Sequence, residues 1–197
     1  MNATRDQLLK NLRRQLVPQV ALPEVVEGPW ITYPQPLEKL AEVVQFVGGS
    51  CTRVESVSQI SAALARYPQY QGAQRIFSAV EGVSGNVDLE AVDDPHHLEN
   101  LDFVIYPAQF AVAENGAVWV TDRNLKHRVV FFITQYLVMV VSERDIVHNM
   151  HQAYARAQPP QPGFGLFLSG PSKTADIEQS LVIGAHGCRQ MQLFVLP

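Results

Sequence analysis

Apolar residues recur at helical spacing near the start of the chain. Leu8, Leu9, Leu12 and Leu16 follow a Thr4–Gln7 pair that matches a capping box. The pattern predicts a first helix with Arg5, Lys10, Arg13 and Arg14 on its other face. Pro18, Pro23, Pro29, Pro34 and Pro36 then exclude regular helix, since each fixes φ and lacks an N–H. This stretch carries Trp30 and Tyr33. It reads as an arm that lies across the main body or across a neighbouring subunit of a homo-oligomer. Residues 1–35 are set apart as helix and arm, and residues 36–197 as the body.

In the body, Leu37, Leu40, Ala41 and Val44 predict a helix that Gly48-Gly49 stops. Cys51 to Val54 suits a strand, and Ser58 to Tyr67 a helix with Ile60, Ala63 and Leu64 inward. Arg75 to Val80 suits another strand, and residues 81–100 are polar and turn-rich. After the apolar run Leu101–Ile105, Phe110–Ala113 and Ala117–Thr121 flank Glu114-Asn115-Gly116. Asn-Gly between apolar runs is a strong hairpin signal. Tyr136–Val141 predicts a buried strand, Arg144–Ala157 a helix, and Met191–Leu196 a last strand. Strands alternating with helices point to a layered α/β fold with a mostly parallel sheet.

One stretch stands out chemically. Leu166-Phe167-Leu168 suits a short buried strand, which Gly170 and Pro171 break. Ser172 or Thr174 then suits a helix cap, with Asp176 and Glu178 in or near the first turn. Small polar residues at a strand-to-helix switch, backed by free helix N–H groups, form an anion-friendly pocket. The glycine spacing of Ser169–Thr174 fits neither GxGxxG nor a P-loop.

Composition narrows the classes. The 197 residues are 47% hydrophobic, which suffices for a packed core. A formal net charge of -4, with only short basic runs, argues against a nucleic-acid binder. Cys51 and Cys188 are the only cysteines and form no CxxC pair, so this chain cannot by itself ligate an iron–sulfur cluster. That usage fits a reducing cytoplasm. The N-terminal stretch has no apolar core of the signal-peptide kind. The apolar run Val129–Val141 is broken by Thr134 and Gln135. It falls short of the roughly 20 residues a membrane span needs.

Ser169-Gly170-Pro171-Ser172-Lys173-Thr174-Ala175-Asp176-Ile177-Glu178, followed by Leu181-Val182-Ile183-Gly184-Ala185-His186-Gly187, closely resembles the C-terminal signature of the LUD-domain family. This is the lactate-utilisation family of the LutC/YkgG type. Ala113-Glu114-Asn115-Gly116 sits where that family has an Ala-Glu-Thr-Gly-like turn, and Cys188 stands where Pro is expected. The resemblance implies a three-layer α/β/α sandwich like the NagB/RpiA/CoA-transferase group. It implies a component of L-lactate oxidation to pyruvate, in an accessory or ligand-binding role. Iron–sulfur clusters are then expected in partner proteins, with no cofactor in this chain.

Candidate chemistry follows from both lines. Glu114 resembles the glutamate of the Ser-Glu-Asn-Gly motif that forms a thioester in CoA transferases, with Ala113 in place of Ser. A stand-alone CoA-transferase-like or folate cyclo-ligase-like enzyme is the alternative function. Capping of a turn or a neighbouring helix is the structural alternative for Glu114. His186, between Gly184 and Gly187, is the candidate proton carrier. Asn115, Gly116, Ser169, Gly170, Ser172, Lys173, Thr174, Asp176 and Glu178 are candidate ligand-binding residues for a small anion. Asp145, His148 and His151 recur at spacing three on one predicted helix, and no metal is assigned to them because such a set is commonly a polar face.

Overall fold

A computed structural model describes residues 2–14, 20–21, 28–158, 163–177 and 180–197. Its centre is a five-stranded sheet in the order β1 (Ser50–Arg53), β11 (Gln190–Leu196), β6 (Tyr136–Ser142), β3 (Phe103–Pro107), β2 (Ile76–Ser78). Every neighbouring pair is parallel. The two central strands read as continuous apolar runs, Leu137–Val141 and Met191–Val195 apart from Gln192, because both faces are covered.

Alternation along these strands sends side chains to two cores. Phe103, Ile105, Val138, Val140 and Phe194 pack with Ile60 and Leu64 of α3 (Val57–Leu64) and with Tyr70 of the short α4 (Pro68–Gln71). Leu137, Met139, Val141, Met191, Leu193 and Val195 pack on the other face with Leu40 and Val44 of α2 (Pro36–Phe46) and with Phe131 of α5 (Val130–Ile133). The outer layer on this second face also contains a four-stranded sheet. Its order is β7 (Ile146–Val147), β4 (Phe110–Val112), β5 (Ala117–Thr121), β8 (Gly165–Leu168). The far side of that sheet holds a third cluster, Phe110, Trp119 and Phe167, under Ala153 of α6 (Met150–Arg156). The architecture is a three-layer α/β/α sandwich with a mostly parallel sheet.

The β4–β5 hairpin forms at Asn115-Gly116, as its sequence predicts. Two predicted helices do not form as expected. Residues 144–157 are not one helix: a 3₁₀ turn (Glu143–Asp145) and strand β7 precede α6. The β-branched pair Ile146-Val147 joins the edge of β4 in parallel, and Asn149 caps α6 by accepting from Gln152 N–H at 3.0 Å. Asp145 therefore lies off the helix of His151 and pairs with Arg156. Among the described residues no three metal-ligating side chains converge. Thr4 does not cap the first helix, α1 (Asn2–Arg14), which already includes Asn2.

The second failure concerns residues 172–178. No helix starts there. β9 (Lys173–Ile177) and β10 (Ser180–Ile183) form an antiparallel hairpin, with Thr174 opposite Val182 and Lys173 opposite Ile183. The β-branched residues Thr174, Ile177, Val182 and Ile183 favour extended backbone over the helix that Ser172 and Thr174 suggest as caps. Glu178 lies outside the described residues.

The arm reaches the body through residues 30–33. Asn149, 1% exposed, donates from Nδ2 to Ile31 O at 2.8 Å. Tyr33 N–H donates to His148 Nδ1 at 3.0 Å, and Trp30 stacks on His151 with ring centroids 3.6 Å apart. Among the described residues no helix is long and apolar enough to cross a membrane.

Cys51 lies on β1 and packs against the core beneath α2. Burial pushes its thiol up from 9.0 to about 11. The unfolded chain loses this proton first, so the native state is disfavoured progressively as pH rises from 9.0 to about 11 and is unaffected below that window. Urea melts across this range should show Cys51→Val losing less stability with pH than the wild type. Parallel pH profiles of the two proteins would exclude the assignment.

Candidate functional site

The Ser169–Thr174 segment and the Ala113–Gly116 turn meet at the C-terminal end of α2. Pairing of β5 with β8 sets Val118 opposite Leu168, which brings the turn alongside Ser169. Ser169 Oγ donates to Asn115 O at 2.7 Å and ties the two segments together. Asn115 Oδ1 in turn accepts from Ala117 N–H at 3.1 Å, closing the hairpin turn.

Two glycines make the contact with α2 possible. Gly116 has φ +69, and a Cβ there would lie 3.2 Å from Val44 N. Gly170 has φ +71, and its Cβ would lie 2.7 Å from Val47 O. A side chain at either position meets backbone, which cannot swing away. Pro171 then packs over Gly48, and Lys173 Nζ donates to Pro171 O at 3.4 Å. A cation at this place also suits the negative end of α2.

Ser172 carries the junction onward. Its N–H donates to Cys188 O, and its carbonyl accepts from Gly184 N–H, both at 2.9 Å. Arg189 N–H donates to Gln135 O at 2.8 Å, delivering the chain into β11. Cys188 is buried here. Burial raises its thiol pKa, against the opposing pull of the Ser172 amide and of Lys173. A protonated, buried thiol is a poor nucleophile.

The candidate catalytic groups fall differently. Glu114 is exposed, and its Oε2 accepts from Met150 N–H at 2.8 Å, at the first residue of α6. Its own N–H donates to His148 O at 3.1 Å. Glu114 thus caps a neighbouring helix. His186 is exposed in the loop between β10 and β11. Among the described residues no hydrogen bond joins His186 to Glu114 or Ser169. Thr174 and Asp176 lie on β9. Asn115, Gly116, Ser169, Gly170, Ser172 and Lys173 are brought together; Glu114 points to α6 instead.

Position in the sheet matters as well. The junction adjoins the entries to β1, β11 and β6, at the amino ends of the parallel strands. Ligands of open parallel sheets collect at the carboxyl ends. That opposite edge carries residues absent from the sequence candidates. Arg53 donates to Glu143 at 3.0 Å and to Glu55 at 3.1 Å. Ser56 and Ser58 hydroxyls lie 2.8 Å apart at the start of α3. The signal available for them is Val54-Glu55-Ser56 ending a strand just before the Val57, Ile60 and Leu64 spacing.

Comparison with known proteins follows the same outline. A model of the LUD domain matches residues 39–196. A lactate utilization protein C of Geobacillus sp. strain WCH70 is 32% identical over 114 residues, 52% of this chain and 47% of the relative. One from Shouchella clausii is 37% identical over 95 residues, 45% and 41% of the two chains. The alignments span about half the length of these curated relatives or less. The crystal structure of a DUF162 family protein from Deinococcus radiodurans superimposes with a TM-score of 0.59 at 19% identity, covering 82% of this chain and 96% of that one. At that identity the likeness establishes the fold.

The junction is open to direct test. Gly170→Ala should cost roughly 2 kcal/mol or more in chemical denaturation, because it adds a backbone clash to a left-handed φ. Gly72→Ala is the control: its φ is -87 and the nearest atom is 3.6 Å away, so a change within about 0.5 kcal/mol is expected. For Glu114, replacement by Ala should destabilise by about 1 kcal/mol through loss of the cap, and Glu114→Gln by less, since the amide oxygen still accepts. Equal losses in the two variants would contradict capping.

Proposed function

The chain belongs to the LUD domain family, and on that premise we propose that it serves L-lactate utilisation, the oxidation of L-lactate to pyruvate, as an accessory component beside iron–sulfur partner proteins. The observation that carries the lactate reading is the LUD-domain match over residues 39–196 together with the similarity to lactate utilization protein C relatives. The accessory part is supported by the engagement of the candidate polar groups within the fold. Ser169 Oγ is bonded to Asn115, Ser172 N–H to Cys188, and the Glu114 carboxylate to α6. The reading is supported by the two cysteines, too few for a cluster's thiolate set, which accords with iron–sulfur clusters held by other proteins.

The accessory role includes holding a small anion. Lys173 and His186 are exposed on adjoining segments and are the groups that would meet a carboxylate. A cytoplasmic location accords with such a role.

The test is reconstitution. A tagged chain should retain the iron–sulfur proteins of its own lactate-oxidising system, and its addition should raise lactate-dependent electron transfer by those proteins. Glu114→Gln should keep that stimulation. If the partners are neither retained nor stimulated, the accessory role fails. If stimulation vanishes in a folded Glu114→Gln, Glu114 has a chemical role beyond its cap.

A further inference from the structure

Helix α1 leaves apolar side chains in water. Leu8 is 58% exposed and Leu12 55% exposed, and every described side chain from Thr4 to Arg14 except Leu9 is exposed. An amphipathic helix of 13 residues with Leu8 and Leu12 in water is marginal by itself. It carries Arg5, Lys10, Arg13 and Arg14 against one Asp6, a net charge of +3 (4 minus 1). Since the whole chain is at -4, the remaining residues carry -7.

A groove of matching chemistry lies on the body. Tyr33, Pro34, Gln35, Glu38, Lys39 and Glu42 line an open depression of about 560 Å³ beside α2. Tyr33 and Pro34 supply apolar walls, and Glu38 and Glu42, one helical turn apart, supply an acidic rim. Phe46 continues this face of α2 one turn further and is 89% exposed. Among the described residues Lys39 is the one cation lining the groove, and it is paired with Glu42 at 2.9 Å. Leucines flanked by arginines face an apolar trough flanked by carboxylates.

We propose that α1 of one copy docks into the Tyr33–Glu42 groove of a second copy, giving a two-fold dimer with two such contacts. Leu8 and Leu12 enter the groove toward Phe46, and Arg5 and Arg13 meet Glu38 and Glu42. The reciprocal arrangement buries both exposed apolar faces twice and satisfies the self-complementarity that a two-fold interface requires.

Charge exchange between variants tests this. Light scattering on the wild type should give twice 21.9 kDa, with the dimer weakening as salt is raised. Arg5→Glu with Arg13→Glu, and separately Glu38→Arg with Glu42→Arg, should each give 21.9 kDa with a cooperative melting transition of the body retained and only the helical signal of α1 reduced. An equimolar mixture of the two variants should regain the dimer mass, because each helix then faces a groove of opposite charge. A wild type that stays monomeric at all concentrations overturns the proposal, as in docking of α1 on its own body. So does failure of the mixture to dimerise. Binding of the monomeric wild type to phosphatidylserine vesicles, lost in Arg5→Glu with Arg13→Glu, would assign α1 to a lipid surface instead.

Discussion

The constraint on which the rest of this molecule depends is the approach of two turns to the C-terminal end of α2. A Cβ on Gly170 would lie 2.7 Å from Val47 O, and one on Gly116 would lie 3.2 Å from Val44 N. Backbone against backbone leaves no room for adjustment by rotamers. Three segments distant in sequence are therefore fixed together: the helix end, the β4–β5 turn and the Ser169–Ser172 segment. The second sheet hangs from this point, because β5 and β8 both run into it. So does the central strand β11, which enters through Ser172, Cys188 and Arg189.

This gives the signature a structural meaning. Its glycines provide close approach, its proline covers Gly48, and its first serine bonds the hairpin turn. Its lysine sits at the negative end of a helix and beside a buried thiol. Lys173–Ile177 and Ser180–Ile183 pair as a separate sheet of two strands. A pair of strands is marginal alone in water, so this element depends on the junction at its base. The junction also lies at the amino ends of the parallel strands, whereas Arg53, Ser56 and Ser58 occupy the carboxyl edge.

Much of this was legible from residue order. Asn115-Gly116 between apolar runs specifies a tight hairpin, and the spacing of Leu37, Leu40 and Val44 specifies α2 with its inward stripe. Continuous apolar runs mark the strands covered on both faces. Asn115, Gly116, Ser169, Gly170, Ser172 and Lys173, grouped by sequence as candidates for binding one small anion, are brought together in the fold by the Ser169–Asn115 bond. What misled was Ser172 and Thr174: small hydroxyl residues after a Gly-Pro break suit a helix cap and a strand start alike, and cross-strand pairing with Val182 and Ile183 decides for the strand. Similarly, Asp145, His148 and His151 match a helical period, but Ile146-Val147 find an edge at β4 and break it. Glu114 resembles a nucleophile in its four-residue context. Its partner, Met150 N–H, lies 36 positions away and is invisible to local pattern.

The junction acts as one unit, and amide hydrogen exchange measures that directly. Ser169→Ala removes a single hydroxyl at the centre of the weld. Opening should then quicken together at Asn115–Ala117, at Gly48-Gly49 and at Ser172–Thr174, while the β3–β6–β11 core keeps its protection. Acceleration confined to residue 169 and its immediate neighbours would contradict it, and the two segments would then be adjacent without being coupled.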